Sequence, residues 1–163
     1  MESNLGKRST TARRLSPHSK IAGDYTEVYR MGAVERIDLI NNGAPPEMLT
    51  AIAKSMHRSK ESFVRLIGMS ATTANRRLSK DEPFSTNDSE RLVATAKLIG
   101  QVQSMVQESG DATGFDAAQW FNQWLERRLP ALNNRRPAEF MTTAEGRQLL
   151  STLLASAQSG AYA

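Results

Sequence analysis

The side chains of this sequence that could do specific chemistry gather between Ser59 and Ser79. Ser70, Thr72, Thr73, Asn75, Arg76 and Arg77 lie close together there. Their hydroxyl, amide and guanidinium groups can bond phosphate oxygens, and Asn and Arg can also grip adenine and guanine edges through two bonds at once. The flanking pattern suits that chemistry. Two short amphipathic stretches, Lys60 to Ile67 and Ala71 to Leu78, enclose the turn Gly68-Met69-Ser70, which is the arrangement of a helix-turn-helix. Ser59 and Ser70 stand at N-cap positions, and the start of the second helix favours phosphate. A plain three-helix core with a polar surface helix would share this pattern. Charge favours the DNA reading, because residues 54–80 sum to +6: Lys54, Arg58, Lys60, Arg65, Arg76, Arg77 and Lys80 against Glu61. Such a surface attracts phosphate.

Other chemistry is thin. The chain has no cysteine, which excludes disulfides, thiolate metal sites and cysteine nucleophiles. Its two histidines, His18 and His57, stand apart from any partner at metal-ligand spacing. Glu126, Glu139 and Glu145 are scattered, with no reason to form an acid–base pair. Gly6-Lys7-Arg8-Ser9-Thr10 resembles the end of a P-loop but lacks the upstream glycine and strand. No catalytic residue, metal or cofactor is therefore expected. Trp120 and Trp124, four apart with Phe121 between them, suit an aromatic core ridge, although large aromatics also anchor interfaces.

The elements that must carry these residues are helical. No segment alternates with period two, so the fold class is all-α. Residues 1–22 are rich in Ser, Thr, Arg and Lys; residues 1–20 sum to +4, and a flexible basic arm is expected. A helix is predicted from near Tyr25, with Val28, Met31, Val34, Ile37 or Asp38, and Ile40 on one face, stopped by Asn41-Asn42-Gly43. A helix from about Glu47 to Met56 precedes the two around the turn. The longest runs from about Asp88 to Gln107, with the stripe Leu92, Ala96, Ile99, Val102 or Gln103, and Val106. A helix over about Asp116 to Arg128 follows, with Phe115 as a hydrophobic staple. Pro130 and Pro137 bound an irregular link and a short helix near Ala138 to Met141. Thr143 caps the last helix, about Ala144 to Gln158, whose inner face is Leu149, Leu150, Leu153 and Leu154; Gly160 ends it. Residues 81–126 sum to −6, so an acidic block adjoins the basic one. No apolar run approaches the ~18 residues that span a bilayer. No secretory signal is expected, and a cytoplasmic protein is.

The C-terminal residues carry a family signature. Trp124-Leu125, Ala131-Leu132, Arg135, Pro137, Phe140-Met141, Thr143, Gly146 and Gly160-Ala161-Tyr162-Ala163 resemble, in order and spacing, the toxin-binding domain of Xre/MbcA/ParS-like antitoxins. These are partners of RES-domain toxins in type II toxin–antitoxin systems. Asn133-Asn134 stand where the family usually has Gly-Gly; Asn tolerates left-handed backbone better than most residues, so a tight turn can survive. Leu129 stands where a polar Asn is common. The resemblance covers the C-terminal third closely and the helix-turn-helix region loosely.

That resemblance implies a helix-turn-helix DNA-binding half joined to a helical toxin-binding domain. It implies a non-enzymatic antitoxin that covers the active site of an NAD-consuming or ADP-ribosylating RES toxin and represses its own promoter. Three regions are expected: a basic arm over 1–22, a DNA-binding and dimerisation region over 23–108, and a toxin-binding domain over 109–163. Arg135, Arg136, Gly160, Ala161, Tyr162 and Ala163 would face the toxin; Ser70, Thr72, Thr73, Asn75, Arg76 and Arg77 would face double-stranded operator DNA. A homodimer is expected because paired half-sites need paired recognition helices. The Leu92 to Val106 stripe or the C-terminal helices could supply its contact. A helix-turn-helix regulator without a toxin partner, and a scaffold without a DNA role, are the alternatives. An adjacent toxin reading frame separates the first alternative, and a gel shift on upstream DNA separates the second.

Overall fold

The structure, a computed structural model, describes residues 24–158 and Gly160. The arm expected over residues 1–22 lies outside the described residues, as do Ala161, Tyr162 and Ala163. Eight α-helices occur among the described residues: α1 (Thr26–Arg30), α2 (Ala33–Asn42), α3 (Pro46–Ser55), α4 (Lys60–Ile67), α5 (Ala71–Lys80), α6 (Thr86–Ser109), α7 (Ala117–Leu125) and α8 (Ala144–Gln158). Two 3-10 turns, Pro130–Leu132 and Pro137–Phe140, lie between α7 and α8. Among the described residues there is no strand, only an isolated antiparallel bridge between Leu129 and Arg135. None of their helices is long and apolar enough to cross a membrane.

Helix α6 is the axle. Helices α1, α2, α3, α4, α7 and α8 all pack against it. It is buried on more than one face: Leu92, Val93, Ala96, Leu98, Ile99 and Val102 enter the core together with Thr95, Gln101 and Ser104. The single stripe expected there is too narrow, and it is core rather than a free dimer seam. Two of its buried polar side chains bond to other parts of the chain. Ser89 accepts the Ala44 N–H at 2.7 Å, and Gln101 exchanges bonds with Ser151 of α8 at 2.8 and 2.9 Å. Gly100 allows α1 to approach, since a Cβ there would stand 2.0 Å from the Tyr25 carbonyl oxygen. Phe63, Phe121, Ile52 and Ile67 are among the fully buried side chains, each worth about 1.5–3 kcal/mol of burial.

The N-terminal helix departs from expectation. In place of one helix from Tyr25 to Ile40, α1 and α2 are separated by Met31 and Gly32, both in extended backbone with ψ of 139° and 152°. The break resets the helical phase. Val28 remains in the core, whereas α2 turns Leu39 inward and leaves Val34 73% and Ile37 53% exposed. In α8, Leu150 and Leu154 are buried, Leu153 is half-buried and Leu149 points outward.

The capping signals at Ser59, Ser70 and Thr143 are realised, and Asp116 caps α7 as well. Ser59, Ser70 and Asp116 accept N–H bonds from Ser62, Thr73 and Gln119, and Thr143 accepts one from Gly146 at 3.0 Å. Each such cap contributes about 1 kcal/mol. Phe115 staples the start of α7, its ring 6.4 Å from that of Trp120.

Candidate nucleic-acid and protein interfaces

The turn between α4 and α5 is built on Gly68, which sits in left-handed backbone with φ +73°. Met69 is buried behind it, and the Ser70 hydroxyl accepts the Thr73 N–H at 3.3 Å to start α5. Ala74 is the buried foot of α5, with Leu78 half-buried one turn later. Opposite them, Thr72, Asn75, Arg76 and Ser79 are exposed at the i, i+3, i+4 and i+7 spacing of one helix face. Ser70 is exposed at the cap and Thr73 is half-buried. Arg76 and Lys80 make no ion pair among the described residues.

Arg77 is turned aside from that face. Its guanidinium is half-buried and pairs with Glu82 at 3.1 Å, while its Nε is buried without a partner. The six residues singled out by sequence thus divide. Thr72, Asn75 and Arg76 form one outward surface; Ser70 and Thr73 flank it; Arg77 braces the end of the helix. Arg58, counted with the basic block, also points elsewhere, to Glu126 at 2.6 Å and to Asn122 of α7.

The second site is the link between α7 and α8. Asn133 and Asn134 adopt left-handed backbone, φ +53° and +60°, so the Asn-Asn pair does support the tight turn expected of it. The Leu129 N–H donates to the Arg135 carbonyl at 3.1 Å, and the Asn134 N–H donates to the Leu129 carbonyl at 3.0 Å. This closes the chain into a small loop. Arg128 braces it by donating to the Asn134 carbonyl at 3.0 Å. Arg135 bonds Glu139 at 3.0 Å and lies over the Phe140 ring at 4.6 Å. Glu139 also accepts the Arg136 N–H at 3.0 Å. That backbone bond, followed by the Arg135 bond, holds the Glu139 carboxyl below its ordinary pKa. Arg136 reaches Glu126 at 3.4 Å, which completes the chain Arg136–Glu126–Arg58. Beneath the loop, Phe121 and Trp120 stack on Trp124 at 5.9 and 6.2 Å, so the tryptophans are largely scaffold.

Among the described residues, Arg135 and Arg136 are not brought together with Gly160. The loop adjoins the start of α8, whereas Gly160, exposed with φ +70°, follows its end. A helix of fifteen residues separates them, roughly 22 Å of rise. Gln158 bonds Glu108 at the far end of α6. Ala161, Tyr162 and Ala163 lie outside the described residues.

Two arginines that sequence did not single out join the halves of the molecule. Arg91 of α6 donates to the Ile67 and Gly68 carbonyls, both at 2.8 Å, and to the Thr142 carbonyl at 3.2 Å. A Cβ on Gly68 would stand 2.5 Å from Arg91 Nη1 and 3.2 Å from Thr142 Cβ. Arg147 of α8, only 4% exposed, pairs with Glu90 and donates to the Met141 carbonyl at 2.9 Å. Their partners are backbone carbonyls and a residue distant in sequence, so no local motif announces them.

Comparison with known proteins covers both regions. Residues 35–96 match the antitoxin Xre-like helix-turn-helix domain. Residues 113–160 match the antitoxin Xre/MbcA/ParS C-terminal toxin-binding domain. One relative, the Prs ADP-ribosylating antitoxin of Sphingobium sp. (strain YBL2), is 35% identical over 159 residues, covering 98% of this chain and 100% of the relative. With a helix-turn-helix that leaves a polar face outward, a closed arginine loop after α7, and a full-length relative of that kind, this chain belongs to the Xre/MbcA/ParS-like antitoxins.

Proposed function

We propose that the protein neutralises a RES-type toxin that consumes NAD or ADP-ribosylates its target, by covering the toxin's active site with its C-terminal domain. We further propose that it binds operator DNA as a homodimer to autoregulate its operon in the cytoplasm. The observation that carries the first part is the loop from Leu129 to Arg136, closed on itself, with Arg135 and Arg136 exposed at one end of α8 while the Gly160-Ala161-Tyr162-Ala163 segment follows the other. A partner held at both places is gripped across the length of α8. The full-length relative is named as an antitoxin of ADP-ribosylating type, which supports the class of toxin. Tyr162 offers a rigid aromatic with a hydroxyl, an anchor of low entropic cost. Ala161 and Ala163 are small enough to follow it into a cleft.

On the DNA side, Asn75 and Arg76 are the base-reading candidates, because they are exposed on one face with groups suited to two-point contact. Ser70, Thr72 and Thr73 surround the helix start and suit phosphate. Arg77 contributes by bracing α5 through Glu82.

The test is co-expression with the toxin followed by purification of a two-protein complex. Removing Gly160 to Ala163 is expected to weaken neutralisation and leave operator binding unchanged. A truncated chain that blocks the toxin at equal concentration defeats the plug reading. Operator affinity that does not fall with salt defeats the phosphate contacts.

A further inference from the structure

Helix α2 turns an apolar stripe to solvent. It packs on α6 through Leu39, with Arg36 and Ile40 half-buried. Val34 and Ile37, on the opposite side, are the most exposed large aliphatic side chains among the described residues. Ile37, Ala33 and Ile40 border a cleft of about 330 Å³ between α2, α6 and the start of α8, with Ala94 and Lys97 on its other wall. A patch of this kind marks an association surface.

The charges around the stripe say what fits it. Arg36 is committed to the carbonyls of Val28, Tyr29 and Met31 that end α1, and Glu90 is committed to Arg147. Lys97 makes no ion pair among the described residues. Partial burial, and then the nearby Arg36 charge, push its ammonium below the ordinary lysine pKa. The cleft therefore favours an occupant that brings apolar side chains with a carboxylate beside them. Helix α2 is such an element. At 100° per residue, Val34, Ile37 and Asn41 form the stripe. Glu35 and Asp38, both exposed, fall on one flank. Ala33 and Ile40 fall on the other, with the Lys97 wall beyond. In a two-fold pair with the helices parallel, the flanks exchange sides, so each acidic flank meets the partner copy's lysine wall. An antiparallel pair would set acid against acid.

We propose that this face is the homodimer interface: α2 packs parallel to α2 of a second copy through Val34 and Ile37, and Asp38 of each copy meets Lys97 of the other. This deepens the dimeric reading above. It is tested on the full chain without toxin or DNA, so its failure leaves the antitoxin reading standing.

Sedimentation velocity over a concentration series is the experiment. The wild-type chain is expected to be a dimer. Val34→Asp with Ile37→Asp is expected to weaken association roughly a hundredfold with helical circular dichroism unchanged, since both side chains are exposed. Asp38→Lys and Lys97→Glu should each weaken it about tenfold, and the two together should restore it. Removing residues 1–22 should leave the dimer intact. A monomeric wild type, a V34D/I37D chain that still dimerises, a charge swap no tighter than the singles, or a dimer lost with residues 1–22 each overturns the proposal.

Discussion

On α5, Arg76 and Lys80 project without an ion pair among the described residues. In the loop after α7, Arg135 and Arg136 are also exposed but already bonded, to Glu139, Glu126 and the face of Phe140. The two surfaces share a charge and differ in commitment. A cation with no protein partner is free to neutralise a phosphate and release the counterions condensed on a nucleic acid, which drives binding to a polyanion. A cation locked by neighbours releases fewer counterions, but its geometry is set beforehand, which lowers the ordering cost of binding a shaped protein surface. On the proposed reading, α5 suits an electrostatic, salt-sensitive contact and the loop a preorganised one.

Substitutions can break this contrast or sharpen it. The largest effect is expected from Arg147→Met, which leaves Glu90 of α6 and the Met141 carbonyl without their partner where α6 and α8 meet. A loss of about 3 kcal/mol should appear as a lower Tm, with DNA and toxin binding falling together; loss of only one activity would show that the surfaces do not share a foundation. Arg76→Ala should cost about 2 kcal/mol of operator affinity and reduce its salt dependence, with toxin binding unchanged by calorimetry. Asn134→Ala forces left-handed backbone on a residue that disfavours it, by about 1 kcal/mol. Toxin binding should weaken while operator binding holds, and Asn134→Gly should retain both.

The smallest effect concerns pH. The Glu139 carboxylate is stabilised in the folded loop, so its contribution is present above the ordinary carboxylate range and is lost as pH falls through its lowered pKa. An NMR titration of the Glu139 carboxyl should give a midpoint below that of a free glutamate, and Arg135→Ala should move it upward. A midpoint at the free value would mean that the loop is no more committed than α5.

What the sequence made legible was local. Ser59, Ser70 and Thr143 cap helices because a cap needs only its own next few residues. Asn133-Asn134 mark a left-handed turn for the same reason. What it hid depended on partners distant in the chain. The stripe through Val34 and Ile37 assumed one uninterrupted helix, and the break at Met31-Gly32 rotated it outward. The α6 stripe was too narrow because helices pack around more of that element than periodicity alone can indicate. Arg58 and Arg77 counted as surface charge, yet each is held by a carboxylate, Arg58 by one on another helix and Arg77 by one just beyond its own. At the candidate sites, the outward α5 residues followed from spacing, whereas Arg91 and Arg147 had no signature because their acceptors are largely backbone.

Arg91 has a consequence for inheritance. Its guanidinium fills the space that a side chain on Gly68 would need and rests against Thr142, so the turn of the helix-turn-helix half is fitted to a residue of the C-terminal half. The family's DNA-reading and toxin-holding parts can therefore not be recombined freely between relatives. A chimera joined after α6 must carry Gly68, Arg91 and Thr142 as a set, or α5 will be mounted on a seat cut for another protein.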